Sequence, residues 1–433
     1  LLPVCSQRKL YLLLVGVPNE HLFHSFPHHL VHFTMRYFQH LLLALFILSN
    51  AVVSNAQGCV AVRQMGGINT MCNSESAVPY NLRKGEFQVG TSYRYFHSWR
   101  HFVGTEEQHE RQTTGGGIGP DGKERGNAVN IYSHAVDLNF SFGISDRLQI
   151  NAVIPWVHNE RSQVLRTTST PRDTFRYSVF AQGIGDVRLN ANYWLFNPDK
   201  AHHGNIMLGL GLKLNTGNYK ATDDAPQADG TVKNVVMDQA IQPGDGGIGV
   251  SVELQAFKQL YKKLYGFANG YYLFNPKENN GSFKSAPKAG LEGYELYACP
   301  DQYFARAGFM LSTLPSNSLT FSLAGRWEGI PAYDAFGGQV AYRRPGYVVA
   351  VEPGVSFRTG KHSFSLFVPY NFIKNRVQSA ADIASQELQN ALDPAHPVHV
   401  QGDAAFADYS ISFNYAFRIG KLRGEKREAR GEK

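Results

Sequence analysis

The sequence predicts an all-β fold: a membrane-spanning, antiparallel up-and-down β-barrel of about 12 strands, with short periplasmic turns and long outer loops. Three observations predict it. Apolar and polar residues alternate with period 2 in segment after segment beyond Lys84. The connections between those segments alternate short and long. An export leader stands ahead of them all.

Composition agrees. The chain holds 28 Phe and 22 Tyr, while only 18% of its residues are charged, which favours strands over helices. A mean hydropathy of -0.28 argues against a multi-helix membrane protein. A barrel escapes that argument because alternation hides its apolar band.

The leader is the run Met35–Ala56. Arg36 supplies a positive start, Leu41 to Leu48 the apolar stretch, and Ser54-Asn55-Ala56 the small residues of a cleavage site. The apolar run is too short for an ordinary spanning helix. Residues 1–34 lie ahead of that methionine and read as an upstream segment from a wrongly placed start, not native to the protein. Residues 57–84 form a periplasmic lead or a plug. At ~3.3 Å per residue they reach deep into a lumen. Within the lead, Cys59 and Cys72 are a candidate disulfide, since an exported chain meets an oxidising compartment. Lipidation of Cys59 is the rival reading, against which Ala56-Gln57-Gly58 lacks the expected Leu.

The barrel is read over 85–419. Its strands are 85–99, 133–143, 147–158, 185–196, 205–216, 247–259, 264–275, 301–314, 318–329, 347–359, 363–375 and 403–419. Asp186–Phe196 shows the pattern best: Val187, Leu189, Ala191, Tyr193 and Leu195 share one face, Asp186, Arg188, Asn190 and Asn192 the other. A helix would scatter this pattern, whereas a strand produces it directly. The short connections are 144–147, 197–203, 259–263, 315–317 and 360–362. The long ones are 100–132, 159–184, 217–246, 276–300, 330–346 and 376–402. Such segregation belongs to outer-membrane barrels, and an even strand number puts both barrel ends on the short-turn side. Each segment reaches the ~9–11 tilted residues that a spanning strand needs. Aromatics near strand ends are assigned to interfacial girdles: Tyr95, Trp99, Trp156, Tyr193, Trp194, Tyr272, Trp327, Tyr347, Tyr370, Tyr415 and Phe417. The stretch Ala380–Leu392 reads as a short surface helix within the last loop. Residues 420–433 form a charged, solvated tail.

Charge excludes one class of partner. The formal net charge is +7. Residues 1–36 carry +2 of it and residues 418–433 carry +4, which leaves the body, 57–417, at +1. A near-neutral body offers no basic face to a nucleic acid. The Gly-rich stretches 115–119 and 244–249 lack the strand-to-helix setting and the Lys-Ser/Thr of a phosphate loop. His396 and His399 lack carboxylate or Cys partners at ligand spacing, so no metal site is assigned. No cofactor and no catalytic residue is assigned either, since a nucleophile-base-acid set is defined by geometry.

The candidate site is the lumen. The alternation turns Glu86, Arg94, Asp137, Asp186, Arg188, Lys213, Glu253, Arg306, Arg326, Glu328, Glu352 and Arg358 inward. A charge facing lipid costs ~2–4 kcal/mol at the midplane, which fixes that direction. Balanced inward charge predicts weak ion selectivity. These side chains either brace the wall by pairing across strands or screen solutes in a pore.

Several strings carry a family resemblance: Gly183-Ile184-Gly185-Asp186, Lys213-Leu214-Asn215-Thr216-Gly217, Gln242-Pro243-Gly244-Asp245-Gly246, Arg326-Trp327-Glu328-Gly329-Ile330-Pro331 with Asp334, and Glu352-Pro353-Gly354. Their order resembles the outer-membrane family described as the MetA-pathway of phenol degradation, a group of exported barrels taken to be transporters. Asn215 stands where that pattern has Pro. The resemblance implies a bacterial outer-membrane barrel passing small solutes, aromatic or hydrophobic ones among them. Outer-membrane lipid and the barrel-assembly machinery are its expected partners. The alternatives are a closed barrel that binds or adheres through its loops, and a lipid-modifying enzyme.

Overall fold

The computed structural model describes residues 82–119, 121–168, 174–313 and 318–420. The readings of 1–34, the leader, most of the lead, the Cys59–Cys72 pairing and the tail lie outside them. In chain order the described residues form β1 (Phe87–Val103), β2 (Glu106–Glu107), β3 (Gly115–Ile118), β4 (Glu124–Gly126), β5 (Asn130–Gly143), β6 (Leu148–Arg166) and β7 (Thr174–Ile184). There follow β8 (Arg188–Trp194), β9 (Gly204–Lys213), β10 (Thr222–Pro226), β11 (Val232–Val236), β12 (Gly249–Tyr261), β13 (Leu264–Phe274), β14 (Asn279–Phe283) and β15 (Leu296–Ala298). The chain closes with β16 (Gln302–Ser312), β17 (Leu319–Ile330), β18 (Gly346–Thr359), β19 (His362–Phe367), β20 (Tyr370–Asn375), α1 (Ala380–Leu392) and β21 (Ala404–Ile419).

One antiparallel sheet closes on itself as a 12-strand barrel. Its wall runs β1, β5, β6, the interrupted strand β7–β8, β9, β12, β13, β16, β17, β18, the interrupted strand β19–β20, and β21. Closure is a long ladder between β1 and β21, from Phe87 opposite Ile419 to Phe102 opposite Ala404. Among the described residues the ladders run all the way round the wall, apart from the outer stretch at β7, which pairs with β6 alone. Small hairpins β3–β4, β10–β11 and β14–β15 sit in the long loops.

Alternation sets the two faces. Leu138, Ile150, Leu189, Leu210, Val252, Phe321, Leu323 and Phe413 are exposed on the outer face, while all twelve charged residues read as inward are buried. An apolar surface this extensive is unstable in water and suits a lipid surround. A one-residue slip in any ladder would turn its charges into that band, so the register is strongly specified. Among the described residues no helix is long and apolar enough to cross a membrane.

Tight turns lie at one end. Lys262-Lys263 joins β12 to β13, and Gly360-Lys361 joins β18 to β19. Gly360 has φ +54, the left-handed conformation that two-residue hairpin turns demand. α1 occupies the span read as helical. Ser379 Oγ accepts from Asp382 N–H (3.1 Å) and Asp382 accepts from Ser379 N–H (2.8 Å), a reciprocal cap.

Two expectations are corrected. The long connection read over 159–184 is mostly strand: β6 continues to Arg166 and β7 starts at Thr174, a hairpin that extends the wall outward. Trp194 does not belong to an interfacial girdle. It is 2% exposed and points inward, while its neighbour Tyr193 is 41% exposed and points out. Adjacent residues on a strand cannot share a face, and the inward place went to the larger ring.

Candidate functional site

The lumen wall is amphipathic. Its apolar part gathers Trp194, Met207, Phe257, Tyr265, Phe267, Met310 and Ala324 into one buried cluster. These come from the periplasmic halves of β8, β9, β12, β13, β16 and β17, each from an inward position. Trp194 and Phe257 meet edge to face at 6.3 Å. Tyr271, Leu273 and Phe304 continue the apolar lining toward the outer end. None of these residues was singled out from sequence as a lumen residue. Inward polar positions had dominated that reading, and a strand's inward aromatic looks like its outward one until the register is known.

Beside that cluster lies a polar belt. Asn151 and Gln149 of β6 stand opposite Asn190 and Asn192 of β8. Asn192 stands opposite Gly209, which stands opposite Glu253. A Cβ at Gly209 would lie 2.5 Å from Asn192 Oδ1 and 2.8 Å from Glu253 Cβ. At Gly211 it would lie 2.1 Å from Asn190 Oδ1 and 2.3 Å from Ser251 Oγ. Glycine at these positions makes the space that the belt occupies. Both oxygens of Glu253, both polar atoms of the Asn192 amide and Asn151 Nδ2 are buried without a hydrogen-bond partner. Native interiors leave few such atoms.

The remaining inward charges form networks. Glu352 bridges Arg306 (2.6 Å) and Arg326 (2.7 Å), which stand directly opposite one another across β16 and β17. Arg326 also holds Glu328 (2.8 Å), and Arg306 donates to Asn269 (2.9 Å). The Arg326 guanidinium lies 4.7 Å from the centre of the Phe304 ring. Asp137 faces Arg188 at 3.6 Å. Glu86 pairs with Arg418 across the closing ladder and accepts from Arg83 N–H (2.6 Å), at the periplasmic end. Arg94 and Arg358 are buried on the inward face. Cys299 is buried and unbridged, its thiol 3.2 Å from the Asp245 carbonyl. The loop histidines are exposed: His396 faces Asp393 (3.0 Å) and His399 faces Gln401 (3.1 Å).

The quoted strings converge in space. Residues 185–187 interrupt the fourth wall strand, opposite only Ile154 and Pro155 of β6. Asp186 lies in that break. Its carboxylate accepts from Gly217 N–H (2.9 Å) and Asp245 N–H (3.2 Å) and faces Lys213 Nζ (3.5 Å), which also pairs with Asp245. Three of the five strings thus build one seam. The other two build the Arg326–Glu328–Glu352 network. Among the described residues β7 pairs with β6 alone, so outside the break the ladder between β7 and β9 is missing. The loop after β9 closes that stretch, with Thr216 Oγ1 bonded to Gly185 O (2.9 Å) and accepting from Val187 N–H (2.8 Å).

At the outer mouth, loop residues meet strand ends around a cavity of about 160 Å³ lined by His101, Arg111, Arg161, Asp238, Arg344, Asp403 and small apolar residues. Arg344 holds Asp238 in two parallel bonds of 2.7 Å each. Burial pushes the Asp238 carboxyl up, but the Arg344 guanidinium more than offsets it and holds the carboxyl well below the usual range. Asp403 behaves alike: burial opposes ionisation, while His101 (2.5 Å) and Arg111 prevail. Deeper in the loops, Arg343 grips Asp334 with two bonds of 2.5 Å. Asp301 there accepts from Asn275 N–H (2.6 Å) and Ala335 N–H (2.8 Å). Sequence reasoning missed these loop groups, apart from Asp245 and Asp334 within quoted strings, because loops carry no periodicity.

No protein-family model matches the chain, and no curated protein does. Among solved structures it is similar to the COG4313 outer membrane channel from Pseudomonas putida F1, at 11% identity and TM-score 0.48, covering 78% of this chain and 97% of that one. It is also similar to a Pseudomonas aeruginosa FadL homologue, at 10% identity and TM-score 0.38, covering 85% and 98%. The third is the P. putida toluene transporter TodX, at 12% identity and TM-score 0.39, covering 79% and 91%. Identities and scores of this size carry no substrate or mechanism across; those rest on the geometry above.

Proposed function

We infer that the protein is a bacterial outer-membrane channel for passive passage of small hydrophobic solutes, single aromatic rings among them. The observation that carries this reading is the amphipathic lumen, with the Trp194–Phe257–Phe267 cluster and, beside it on shared strands, the Asn192–Glu253 belt. An inward aromatic surface lowers the cost of taking an apolar ring out of lipid or water. The polar belt keeps water beside it, so the solute need not enter a dry gap. The inward charges brace the wall in pairs. Outer-membrane lipid around the apolar band, the assembly machinery for such barrels, and export through the leader 35–56 belong to the same reading. The segment 57–84 belongs to this reading as a periplasmic lead or a plug.

The test must respect the barrier. Toluene crosses phospholipid freely, so phospholipid vesicles are blind to this channel. Radiolabelled toluene uptake should instead be followed in Gram-negative cells with an intact lipopolysaccharide leaflet, with and without the protein. A faster initial rate is expected with it. Equal rates, from a barrel shown to be folded and surface-located, would turn the reading toward a closed barrel acting through its loops.

A further inference from the structure

The outer cavity holds one guanidinium that makes no direct bond and acts on Asp238 only through its charge. Arg161 lies on the inward face of β6, opposite Ile131 of β5 and Val179 of β7. It is partly buried, lines the cavity, and makes no hydrogen bond or ion pair among the described residues. The other charged groups there are committed. Arg344 is spent on Asp238, and Arg111 on Asp403. Asp403 also pairs with His101 Nδ1 (2.5 Å), whose Nε2 lies 2.9 Å from Val129 N and 3.1 Å from Val129 O. Both aspartates are held ionised by their partners. Among the described lining residues three guanidiniums face two carboxylates, an excess of one, and Arg161 is the one that makes no direct bond.

The rest of the lining is apolar and small: Val129, Ile131, Ala240, Ala404 and Ala405. Val129, Ile131 and Ala240 continue into the buried cluster beneath the loop after β9. The volume, about 160 Å³, is far above the ~10–15 Å³ that holds one water. A dianion would exceed the guanidinium surplus, and a bare inorganic anion would waste the apolar wall. A neutral ring would leave the guanidinium desolvated and unpaired, a costly arrangement. A monocarboxylate on a compact hydrocarbon body satisfies every surface, with its two oxygens on the two-pronged guanidinium.

We propose that this outer cavity is a binding site for small apolar monocarboxylates, such as an arenecarboxylate, captured by Arg161 before passage. The proposal rests on the channel reading and adds a ligand class to it: acids of apolar rings, beside the neutral rings themselves. The capture is reversible, since one ion pair in a cavity open to solvent holds a solute without trapping it.

Equilibrium dialysis of radiolabelled benzoate against the full-length folded barrel in a non-ionic detergent tests it. The expected result is saturable binding that acetate competes weakly and equimolar chloride does not compete. Arg161→Met should raise the Kd at least tenfold. Arg161→Lys, which keeps the charge but loses the fork, should raise it several-fold. Folding of each variant is read from the heat-dependent gel shift of barrels, and if the Met variant does not fold, the Lys variant decides. Wild-type protein without saturable benzoate binding overturns the proposal, as does an Arg161 variant binding like wild type. Competition by chloride as strong as by benzoate's own relatives also overturns it, in favour of a plain anion site. The channel reading is judged apart, by toluene uptake through the wild-type protein: that uptake with no benzoate binding sinks this proposal alone, and the reverse sinks the channel alone.

Discussion

Replacing Glu352 by Gln isolates the cost of the lumen's charge network. Glu352 is 2% exposed and carries one oxygen to each of Arg306 and Arg326, at 2.6 and 2.7 Å. Those arginines are direct cross-strand partners, so the carboxylate separates two like charges that the register forces together. Arg326 keeps Glu328, and Arg306 keeps the Asn269 amide. Removing one member of a buried pair typically costs about 3–5 kcal/mol, because the other is left uncompensated. The amide is isosteric and still accepts one hydrogen bond, so Glu352→Gln should fall near the lower limit, about 3 kcal/mol. Arg306→Met together with Glu352→Gln should recover much of that loss, since no unpaired charge remains beyond the Arg326–Glu328 pair. The assay is reversible guanidinium unfolding of the barrel in detergent, followed by tryptophan fluorescence. A Glu352→Gln barrel within about 0.5 kcal/mol of wild type would refute the reasoning, and so would a double variant less stable than the single one.

Other consequences can be checked directly. Brominated lipid should quench Trp156 and Trp327, which are 44% and 41% exposed on the outer face, and should spare Trp194; tryptophan-by-tryptophan replacement with Phe assigns each signal. Trp194→Ala should destabilise the barrel by about 3–5 kcal/mol, the usual cost of emptying a large aromatic site, measured by the same unfolding curves. Gly211→Val should lower stability by about 1–3 kcal/mol or reduce conductance in planar bilayers, because its Cβ would start 2.1 Å from Asn190 Oδ1. The carboxyls of Asp238 and Asp403 are held below their unfolded value. Their contribution is therefore present above about pH 4 and is lost as pH falls through the lower folded value. Protease cleavage of the outer loops should stay slow from pH 7 to pH 4 and accelerate below it, and Asp403→Asn should bring the fast cleavage to neutral pH.

Much of the fold was legible because a barrel writes its geometry in period 2. Val187 through Leu195 and Tyr409 through Phe417 alternate with so little interruption that strand, face and register follow together. Loop asymmetry then supplied the strand number. Two places resisted for physical reasons. The wall's extension over Gln163, Tyr177 and Val179 is strand outside the apolar band, where neither face meets lipid and the alternation fades. The break at Gly185–Val187 reads as ordinary alternation, since Asp186 and Arg188 both point inward whether or not the ladder is continuous. The inward charges were legible through the cost of facing them to lipid. The inward aromatics were not, because Trp194 or Phe257 is tolerated on either face. Arg161, Asp238 and Asp403 come together only through loop packing, which no spacing records.

The central claim is that apolar solutes occupy the lumen beside Trp194. A photoreactive toluene analogue, activated on the folded barrel and mapped by peptide mass spectrometry, tests it most directly. Such a label also enters the detergent belt, so outward residues such as Phe321 and Leu323 will carry label that excess toluene leaves unchanged. Labelling of Trp194, Phe257 and Phe267 that toluene suppresses in a saturable way is the predicted result. Label confined to the outer face, with the lumen cluster unmodified in a folded barrel, would contradict the account.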